Sequence, residues 1–145
     1  MIGIITVLDQ VNFDMKRTKH KKKKRISVQS AKAKGRSLQQ YVCRMISEIT
    51  GYEWGSSGDD KPIESRPMGQ KGMDVRMESQ VRELFPFSVE CKFQESWAVH
   101  GWIEQAKENQ MKGTDWLLVC KRSRKKPVVI MDADAFFGLY KAYIG

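Results

Sequence analysis

The sequence predicts an α/β fold in which a central mixed β-sheet is flanked by helices, with the element order αβββαββα. Three observations carry this prediction: helix-like spacing of apolar residues, strand-like alternation of apolar and polar residues, and a late pair of β-rich runs. Because helical and extended segments alternate along the chain, we expect the helices to pack on the faces of the sheet.

The first helix is predicted over residues 35–51, where apolar residues recur at steps of three and four from Leu38 to Ile49. Gly51 suits the position just after a helix end. Residues 55–61 are rich in Gly, Ser and Asp and predict a loop. A short strand over residues 63–66 then leads through a Pro/Gly loop to an alternating strand over residues 73–77.

The second half of the chain also contains predicted strands and helices. A polar connection over residues 78–86 precedes an alternating strand over residues 87–93. A helix is predicted over residues 97–112, although Gly101 weakens its first turn. Two β-rich runs, residues 116–120 and 128–131, predict a hairpin with a basic tip, and Asp132 is a suitable N-cap for a final helix.

The positive charge is concentrated at the N-terminus. A chain of 145 residues with 41% hydrophobic content predicts one globular domain, which we place at residues 35–145. The first 35 residues hold ten Lys/Arg against two Asp, a net charge of +8 out of +9 for the whole chain. Residues 1–34 therefore predict a basic, flexible tail, either a solvated or localisation segment or, as we favour, one that attracts phosphates.

Cysteine and histidine usage excludes several classes of site. Three well separated cysteines without a CxxC pair predict neither a disulfide framework nor a zinc site, and they fit a reducing cytoplasm. His20 and His100 have no partner residue that would indicate a histidine-based nuclease. No stretch approaches the roughly 18 apolar residues of a membrane span, so we expect a soluble cytoplasmic protein without a membrane partner.

Three charged residues form the candidate catalytic group. Glu90 and Lys92 are two apart on one predicted strand and so project from the same face, whereas Cys91 points to the other face. Asp74 lies on the polar face of its own strand. Antiparallel pairing of these two strands would bring Asp74 beside Glu90 and Lys92. The alternative interpretation is an exposed Glu90–Lys92 ion pair, which is common on any sheet.

This group has the chemistry of a magnesium site for phosphodiester hydrolysis. Mg²⁺ prefers oxygen ligands, and Asp74, Glu90 and the backbone carbonyl of Cys91 would supply three. Lys92 would orient or deprotonate the attacking water, or neutralise the phosphate. We expect Mg²⁺ as the cofactor, with Mn²⁺ able to substitute, and no small-molecule cofactor.

The segments GMDV, FPFSVECK, WIEQA and DWLLVCKRSRKKPVVI resemble the PD-(D/E)XK nuclease superfamily, most closely its small phage-encoded members related to Holliday junction resolvases. The resemblance covers about residues 34–140 and implies a restriction-endonuclease-like core. The usual proline before the motif aspartate is replaced by Met73.

The resemblance also implies roles for single residues. Asp74 and Glu90 match the metal-binding acidic residues, Lys92 matches the catalytic lysine, and Gln105 matches a helix glutamine near the site. Glu48 resembles an acidic residue that many members place on the first helix beside the metal. Glu48 also has an ordinary alternative, an ion pair with Arg44 on the helix surface.

Basic residues outside this group predict contacts with the DNA backbone. Arg66 and Lys71 lie near the loop before Asp74, where solubility alone could also place them. The hairpin tip carries five positive charges in six positions: Lys121, Arg122, Arg124, Lys125 and Lys126. Trp97 and Trp102 could stack on unpaired bases, but packing of their helix on the sheet is the favoured interpretation.

The sequence thus predicts a Mg²⁺-dependent DNA endonuclease. Branched DNA such as a Holliday junction as the substrate, a role in DNA recombination and a homodimeric state are implied by the resemblance alone. Two alternatives stay open. One is a duplex DNA endonuclease of restriction or genome-degrading type, and the other is a non-catalytic nucleic-acid-binding protein in which the basic segments alone bind the nucleic acid.

Overall fold

The computed structural model describes residues 24–145, so the predicted basic tail lies outside the described residues as far as residue 23. Helix α1 spans Val28–Thr50 and begins before the predicted start at Gly35. Ser27 is its N-cap and accepts a hydrogen bond from the N–H of Ser30 at 3.1 Å. The first turns contain Ala and Lys, which favour helix without forming an apolar stripe, so periodicity did not predict them. The helix ends as predicted at Gly51, whose φ of +79° suits glycine.

A first small sheet contains three short strands, β1 (Trp54–Ser56), β2 (Ile63–Ser65) and β3 (Val75–Met77). Strand β2 is central, parallel to β1 and antiparallel to β3. The loop predicted over residues 55–61 therefore overlaps β1, which the sequence did not predict. A three-residue strand of Trp, Gly and Ser has too little alternation of apolar and polar residues to be recognised.

A second small sheet is built from β4 (Phe87–Phe93), β5 (Asp115–Lys121) and β6 (Val128–Ile130). Strands β4 and β5 are parallel and are joined across a face of the sheet by helix α3, whereas β5 and β6 form the predicted antiparallel hairpin. The bounds of the three remaining helices are α2 Ser79–Leu84, α3 Val99–Glu108 and α4 Ala133–Ile144.

The expected antiparallel pairing of the strand carrying Asp74 with the strand carrying Glu90 is wrong. Strand β3 pairs with β2 instead, and β4 pairs with β5, so the described residues form two three-stranded mixed sheets rather than one central sheet. The polar connection between β3 and β4 contains helix α2, and such a connection does not impose the pairing that a tight hairpin turn would. The α/β class, with helices flanking mixed sheets, is confirmed, and the architecture is compatible with a restriction-endonuclease-like fold.

Two apolar clusters hold these layers together. Helix α1 packs on one side through Leu38, Val42 and Ile46, against side chains from both sheets. Helix α3 packs on the opposite face of the second sheet, where Trp102 meets Trp116. The interpretation of Trp102 as a packing residue is therefore confirmed, while Trp97 is more exposed and lies 6.2 Å from Trp102 between ring centroids.

Helix α4 differs from the other long helices. Asp132 is its N-cap residue, as predicted, although the Asp132 carboxylate accepts a hydrogen bond from the Trp116 indole instead of capping the helix. No residue of α4 is buried. Within residues 24–145, none of the helices combines the length and the apolar character that crossing a bilayer would require.

Candidate active site

Strand β4 separates its side chains into a core face and a chemical face. Val89 is fully buried in the cluster beneath α1, with Cys91 packed against the same cluster. Glu90 and Lys92 project from the opposite face, as the period of a strand requires. Pairing with β5 fixes this arrangement, since Glu90 lies in register with Leu118.

Asp74 precedes β3 directly and is held to the edge of β4 by two hydrogen bonds. Its backbone N–H donates to the carbonyl of Val89 at 2.9 Å. Its Oδ2 atom accepts from the backbone N–H of Cys91 at 2.7 Å. Asp74 therefore reaches the strand that carries Glu90 and Lys92 without the predicted ladder between β3 and β4.

The loop before Asp74 depends on a glycine. Gly72 has a φ of +100°, and a Cβ atom at this position would lie 2.6 Å from Nη1 of Arg66. The Arg66 side chain lies in the space that a larger residue would fill, and Arg66 also donates to Gln70 at 3.1 Å. The backbone conformation favours glycine at this position, and a larger residue would in addition displace the end of the Arg66 side chain.

Lys92 and Glu90 form a connected polar group with helix α3. Lys92 Nζ lies 3.1 Å from Glu90 Oε1 and donates to Gln105 Oε1 at 2.7 Å. Asn109, at the C-terminal end of α3, donates to Glu90 Oε2 at 3.2 Å. Only 3% of the Glu90 surface is exposed, so this is not the exposed surface ion pair of the alternative interpretation.

Burial, and after it the negative charge of Glu90, raise the pKa of the Asp74 carboxyl to about 6. The Cys91 N–H, the Lys92 ammonium and a hydrogen bond from the Gln39 side chain act in the opposite direction and lower this pKa. Two carboxylates, Glu90 buried and Asp74 half-buried, thus lie together at the middle of β4, an arrangement that a cation would stabilise.

Gln39 is a site residue that sequence reasoning missed. It lies on α1, is 1% exposed, and hydrogen-bonds the Asp74 carboxylate. Its Oε1 atom is buried and has no hydrogen-bond partner among residues 24–145. Leaving a buried amide oxygen without a hydrogen-bond partner costs about 1–3 kcal/mol of folding free energy, so we expect this atom to bind a water or an ion. The available signal was a polar residue next to Leu38 on the buried face of an amphipathic helix.

The structure does not bring Glu48 to this group. Glu48 lies near the C-terminal end of α1, is exposed, and is absent from the lining of the cavity that contains Asp74 and Glu90. The position on α1 that faces Asp74 is occupied by Gln39. Residues 39 and 48 are nine apart, and only the packing of α1 on the sheets decides which of them meets Asp74.

A cavity of about 730 Å³ opens over these residues. Its walls come from the loop before β3, from β4 and from α3, and they include Lys71, Asp74, Glu90, Lys92, Gln105 and Asn109. Because the N–H and C=O of one strand residue point to the same side, the carbonyl of Cys91 faces the edge where its N–H meets Asp74. The predicted residues Asp74, Glu90, Cys91, Lys92, Gln105 and Lys71 are thus brought together.

The basic side chains of the hairpin differ in whether they contact other groups of the protein or are exposed to solvent. Arg122 lies 3.9 Å from Glu95, and Lys121 donates to the backbone carbonyl of Lys125. The side chains of Arg124, Lys125 and Lys126 are exposed. Lys34 of α1 approaches the same turn and donates to Ser123 at 2.8 Å. The hairpin tip and the start of α1 therefore form one basic surface near the end of β4.

The chain matches a family model described as "Phage putative PDDEXK endonuclease" over residues 30–143. The chain belongs to this phage PD-(D/E)XK endonuclease family. The match includes every helix and strand described above except the ends of α1 and α4, and it confirms the resemblance inferred from GMDV and FPFSVECK. No curated protein and no solved structure matches the chain. As a member of a PD-(D/E)XK endonuclease family, the protein is a nuclease.

The residues of this phage PD-(D/E)XK nuclease suit the divalent cation on which such enzymes generally depend. Among residues 24–145, no three His, Cys, Asp or Glu side chains cluster closely enough to hold a metal by themselves. The donors that line the cavity are mixed instead: the carboxylates of Asp74 and Glu90 and the backbone carbonyl of Cys91. All three are oxygen donors of the kind that Mg²⁺ and Mn²⁺ accept, and waters complete such sites.

Proposed function

We propose that this protein is a Mg²⁺-dependent DNA endonuclease, with Mn²⁺ as a substitute, which cuts branched DNA such as a Holliday junction as a homodimer. The family membership supports a nuclease. The observation that carries the metal-dependent mechanism is the meeting of Asp74 and Glu90 at β4, with Lys92 held beside them. Branched DNA and the dimer rest on the resemblance to junction-resolving phage enzymes.

The proposed ligands are Asp74, Glu90 and the Cys91 carbonyl, with Gln39 beside Asp74. When bound, a divalent cation would stabilise charge on the scissile phosphate and make a water more acidic. Asp74 and Glu90 would otherwise repel a phosphate, because each is negative and poorly hydrated. The unpaired Oε1 atom of Gln39 would bind the cation or accept a hydrogen bond from one of the cation's waters.

Lys92 is the proposed catalytic side chain. An ammonium has three donor protons, and contacts with Glu90 and Gln105 engage two of them. The third can donate to a phosphate oxygen or to the attacking water. Gln105 thereby acts as a positioning residue that holds the ammonium over the cavity, and Asn109 holds Glu90 in the same way.

The DNA is proposed to pass from this cavity across the basic surface formed by the hairpin tip and Lys34. Arg124, Lys125 and Lys126 are exposed and would contact phosphates, and Lys71 would contact the strand beside the scissile bond. Arg66, which is half-buried against Gly72, would act mainly by shaping the loop that carries Lys71.

A cleavage panel tests the metal and the substrate together. Synthetic four-way junction, flap, linear and circular DNAs are incubated with the protein in Mg²⁺, Mn²⁺ or Ca²⁺, and in the presence of EDTA. We expect cutting in Mg²⁺ and Mn²⁺, binding without cutting in Ca²⁺, and a preference for the junction. Equal cutting of plain duplex would contradict the junction assignment and favour a restriction or genome-degrading endonuclease.

A non-catalytic DNA-binding protein is the rival from another functional class. Such a protein would use the basic surface alone, and it would have no use for two carboxylates that repel phosphate. Binding to all four DNAs without cleavage in any metal would favour this rival.

A further inference from the structure

Helix α4 presents an apolar surface that nothing in the described part of the chain covers. Its large apolar residues are between 48% and 84% exposed: Phe136, Phe137, Leu139, Tyr140, Tyr143 and Ile144. The edge strand β6, which leads into α4, adds exposed Val128 and Val129. The largest apolar patch of a typical monomer is about 300–600 Å². The six side chains of α4 with the two valines expose roughly 700–900 Å² by ordinary side-chain areas, above that range.

A twelve-residue helix with no buried face also lacks a source of stability. Isolated helices shorter than about 12–15 residues are marginal in water, because packing of an apolar face provides most helix stability in proteins. Helix α4 contains Gly138 in its interior, a residue that lowers helix propensity. The aromatic rings Phe136, Tyr140 and Tyr143 contact one another along the helix, with centroid distances of 6.4 and 6.1 Å. The side-chain contacts of α4 are therefore mainly those within its own exposed row of aromatic residues, and packing of that row against a partner would stabilise the helix.

We propose that this surface is the contact between two copies of the chain, with the α4 helices packed antiparallel about a two-fold axis. This inference deepens the proposed function, since it assigns the surface that would form the homodimer. Phe136, Leu139, Tyr140 and Tyr143 follow the spacing of one helix face. Around a midpoint between Leu139 and Tyr140 this set maps onto itself, so that Phe136 meets the second copy's Tyr143 and Leu139 meets the second copy's Tyr140.

Area and charge favour a second copy over other occupants. A stable dimer of ordinary size covers about 800 Å² on each partner, close to the exposed area of α4 and β6. The helix carries only Asp134 and Lys141 as charges, in a chain with a net charge of +9. DNA would find no cationic side chains along the aromatic row, and an anionic membrane surface would find a single lysine. A two-fold contact requires a patch that complements itself, which the order of the four residues provides.

Two neighbouring positions provide a matched test of the surface. Leu139→Glu puts a carboxylate at the centre of the aromatic row, whereas Gly138→Glu puts the same group on the opposite side of the helix, where a Cβ atom meets nothing within 4 Å. Neither position is buried, so both proteins should fold, which circular dichroism would check. Sedimentation of the full chain at micromolar concentration should show a dimer for wild type and Gly138→Glu, and a monomer for Leu139→Glu, with its dimer Kd raised at least 100-fold.

The proposed register has its own test. In the antiparallel pair, residue 136 of one copy lies beside residue 143 of the other, whereas the two copies of residue 136 are about 10 Å apart along the axis. An oxidised mixture of Phe136→Cys and Tyr143→Cys proteins should therefore give a disulfide-linked dimer, and either protein alone should not. Crosslinking of Phe136→Cys with itself at the same rate would contradict the register.

A wild-type chain that sediments as a monomer, or a Leu139→Glu protein that stays dimeric, would overturn the proposal. A monomer that floats with phosphatidylcholine vesicles would identify a lipid surface as the occupant instead. The outcome is separable from that of the proposed cleavage activity. A dimer that cuts no DNA would contradict the cleavage activity and leave this surface standing, whereas a monomer that cuts would contradict this surface and the homodimer but not the cleavage activity.

Discussion

The candidate active site and helix α4 depart from the usual pattern of burial in opposite directions. At the candidate site, charged and amide side chains are buried: Glu90 is 3% exposed and Gln39 is 1% exposed. On α4, aromatic side chains are exposed, with Tyr143 at 84%. Burying polar side chains and exposing aromatic side chains both cost free energy, so each is expected where a binding partner offsets that cost. The difference teaches which kind of partner each region suits: the proposed divalent cation in the first case and the proposed second copy of α4 in the second.

The two regions also differ in how firmly the protein holds them. Glu90, Lys92 and Gln105 are connected by hydrogen bonds to elements that pack on the core. Helix α4 is attached to the body mainly through its N-terminus, where Asp132 accepts from Trp116 at 2.9 Å. Chemistry needs fixed geometry, so the rigid region suits catalysis, while a projecting helix suits assembly.

The largest expected effect concerns the ammonium of the cavity. Lys92→Ala should lower the rate of junction cleavage in Mg²⁺ by roughly 10³-fold, since removing one preformed charge-stabilising donor costs about 10²–10³ in other enzymes and the attacking water also loses its partner. Binding of the junction in Ca²⁺, measured by gel shift, should change by less than about threefold. Lys112→Ala, at an exposed position just after α3, is the matched control and should cut normally. Normal cutting by Lys92→Ala would remove Lys92 from the mechanism.

The buried and exposed aromatics should respond differently to truncation. Trp102→Ala should lower the free energy of unfolding by about 3–5 kcal/mol at any protein concentration, because Trp102 fills the space between α3 and the second sheet. Tyr143→Ala should have no effect on a dilute sample and should destabilise only at concentrations where the chain dimerises. Urea unfolding at two concentrations separates the two responses. A concentration-independent loss for Tyr143→Ala would mean that α4 packs within its own copy.

The carboxylates should reveal the cation without any cleavage assay. Saturating Mn²⁺ at about 100 times its Kd should stabilise the wild-type protein by about 2.7 kcal/mol, visible as a rise in Tm. Glu90→Gln should abolish most of that rise, and its metal-free Tm should equal or exceed that of wild type, because a buried negative charge next to Asp74 has been removed. Glu83→Gln on α2, which is exposed, should behave like wild type. An undiminished Mn²⁺ response in Glu90→Gln would show that the cation binds elsewhere.

Gln39 offers a finer test of the same site. Gln39→Leu removes the unpaired Oε1 atom and the hydrogen bond to Asp74 while keeping a side chain of similar size. We expect the stabilisation by Mn²⁺, measured through the rise in Tm, to fall by about 1 kcal/mol, the net value of a typical hydrogen bond. Gln39→Glu should lower the metal-free Tm through repulsion of Asp74 and should increase the response to Mn²⁺. Equal responses in both variants would place Gln39 outside the metal site.

The smallest expected effect comes from the hairpin tip. Replacing Arg124, Lys125 and Lys126 together by Ala should weaken binding of every DNA tested and should reduce the slope of log Kd against log salt by about 2 to 3, because each phosphate contact releases about one counterion. The preference for a junction over duplex should change little, since these residues contact phosphates. Fluorescence anisotropy at several salt concentrations measures the slope. A changed junction preference with an unchanged slope would instead assign the hairpin to shape recognition.

The sequence by itself determined the local features of this protein. The alternation over residues 87–93 was enough to put Glu90 and Lys92 on one face and Cys91 on the other, and periodicity with Gly51 was enough to locate the end of α1. Both follow from the geometry of a single element, which nearby residues specify.

Only the tertiary structure decided which elements meet. Asp74 is held by the edge of β4 instead of pairing with it in a ladder, and Gln39 rather than Glu48 faces the Asp74 carboxylate. Helix α4 has a strong apolar pattern but remains exposed, because α3 already covers the face of the second sheet opposite α1. An apolar or polar pattern states which face of an element needs a partner, whereas the identity of that partner depends on contacts between residues far apart in the chain.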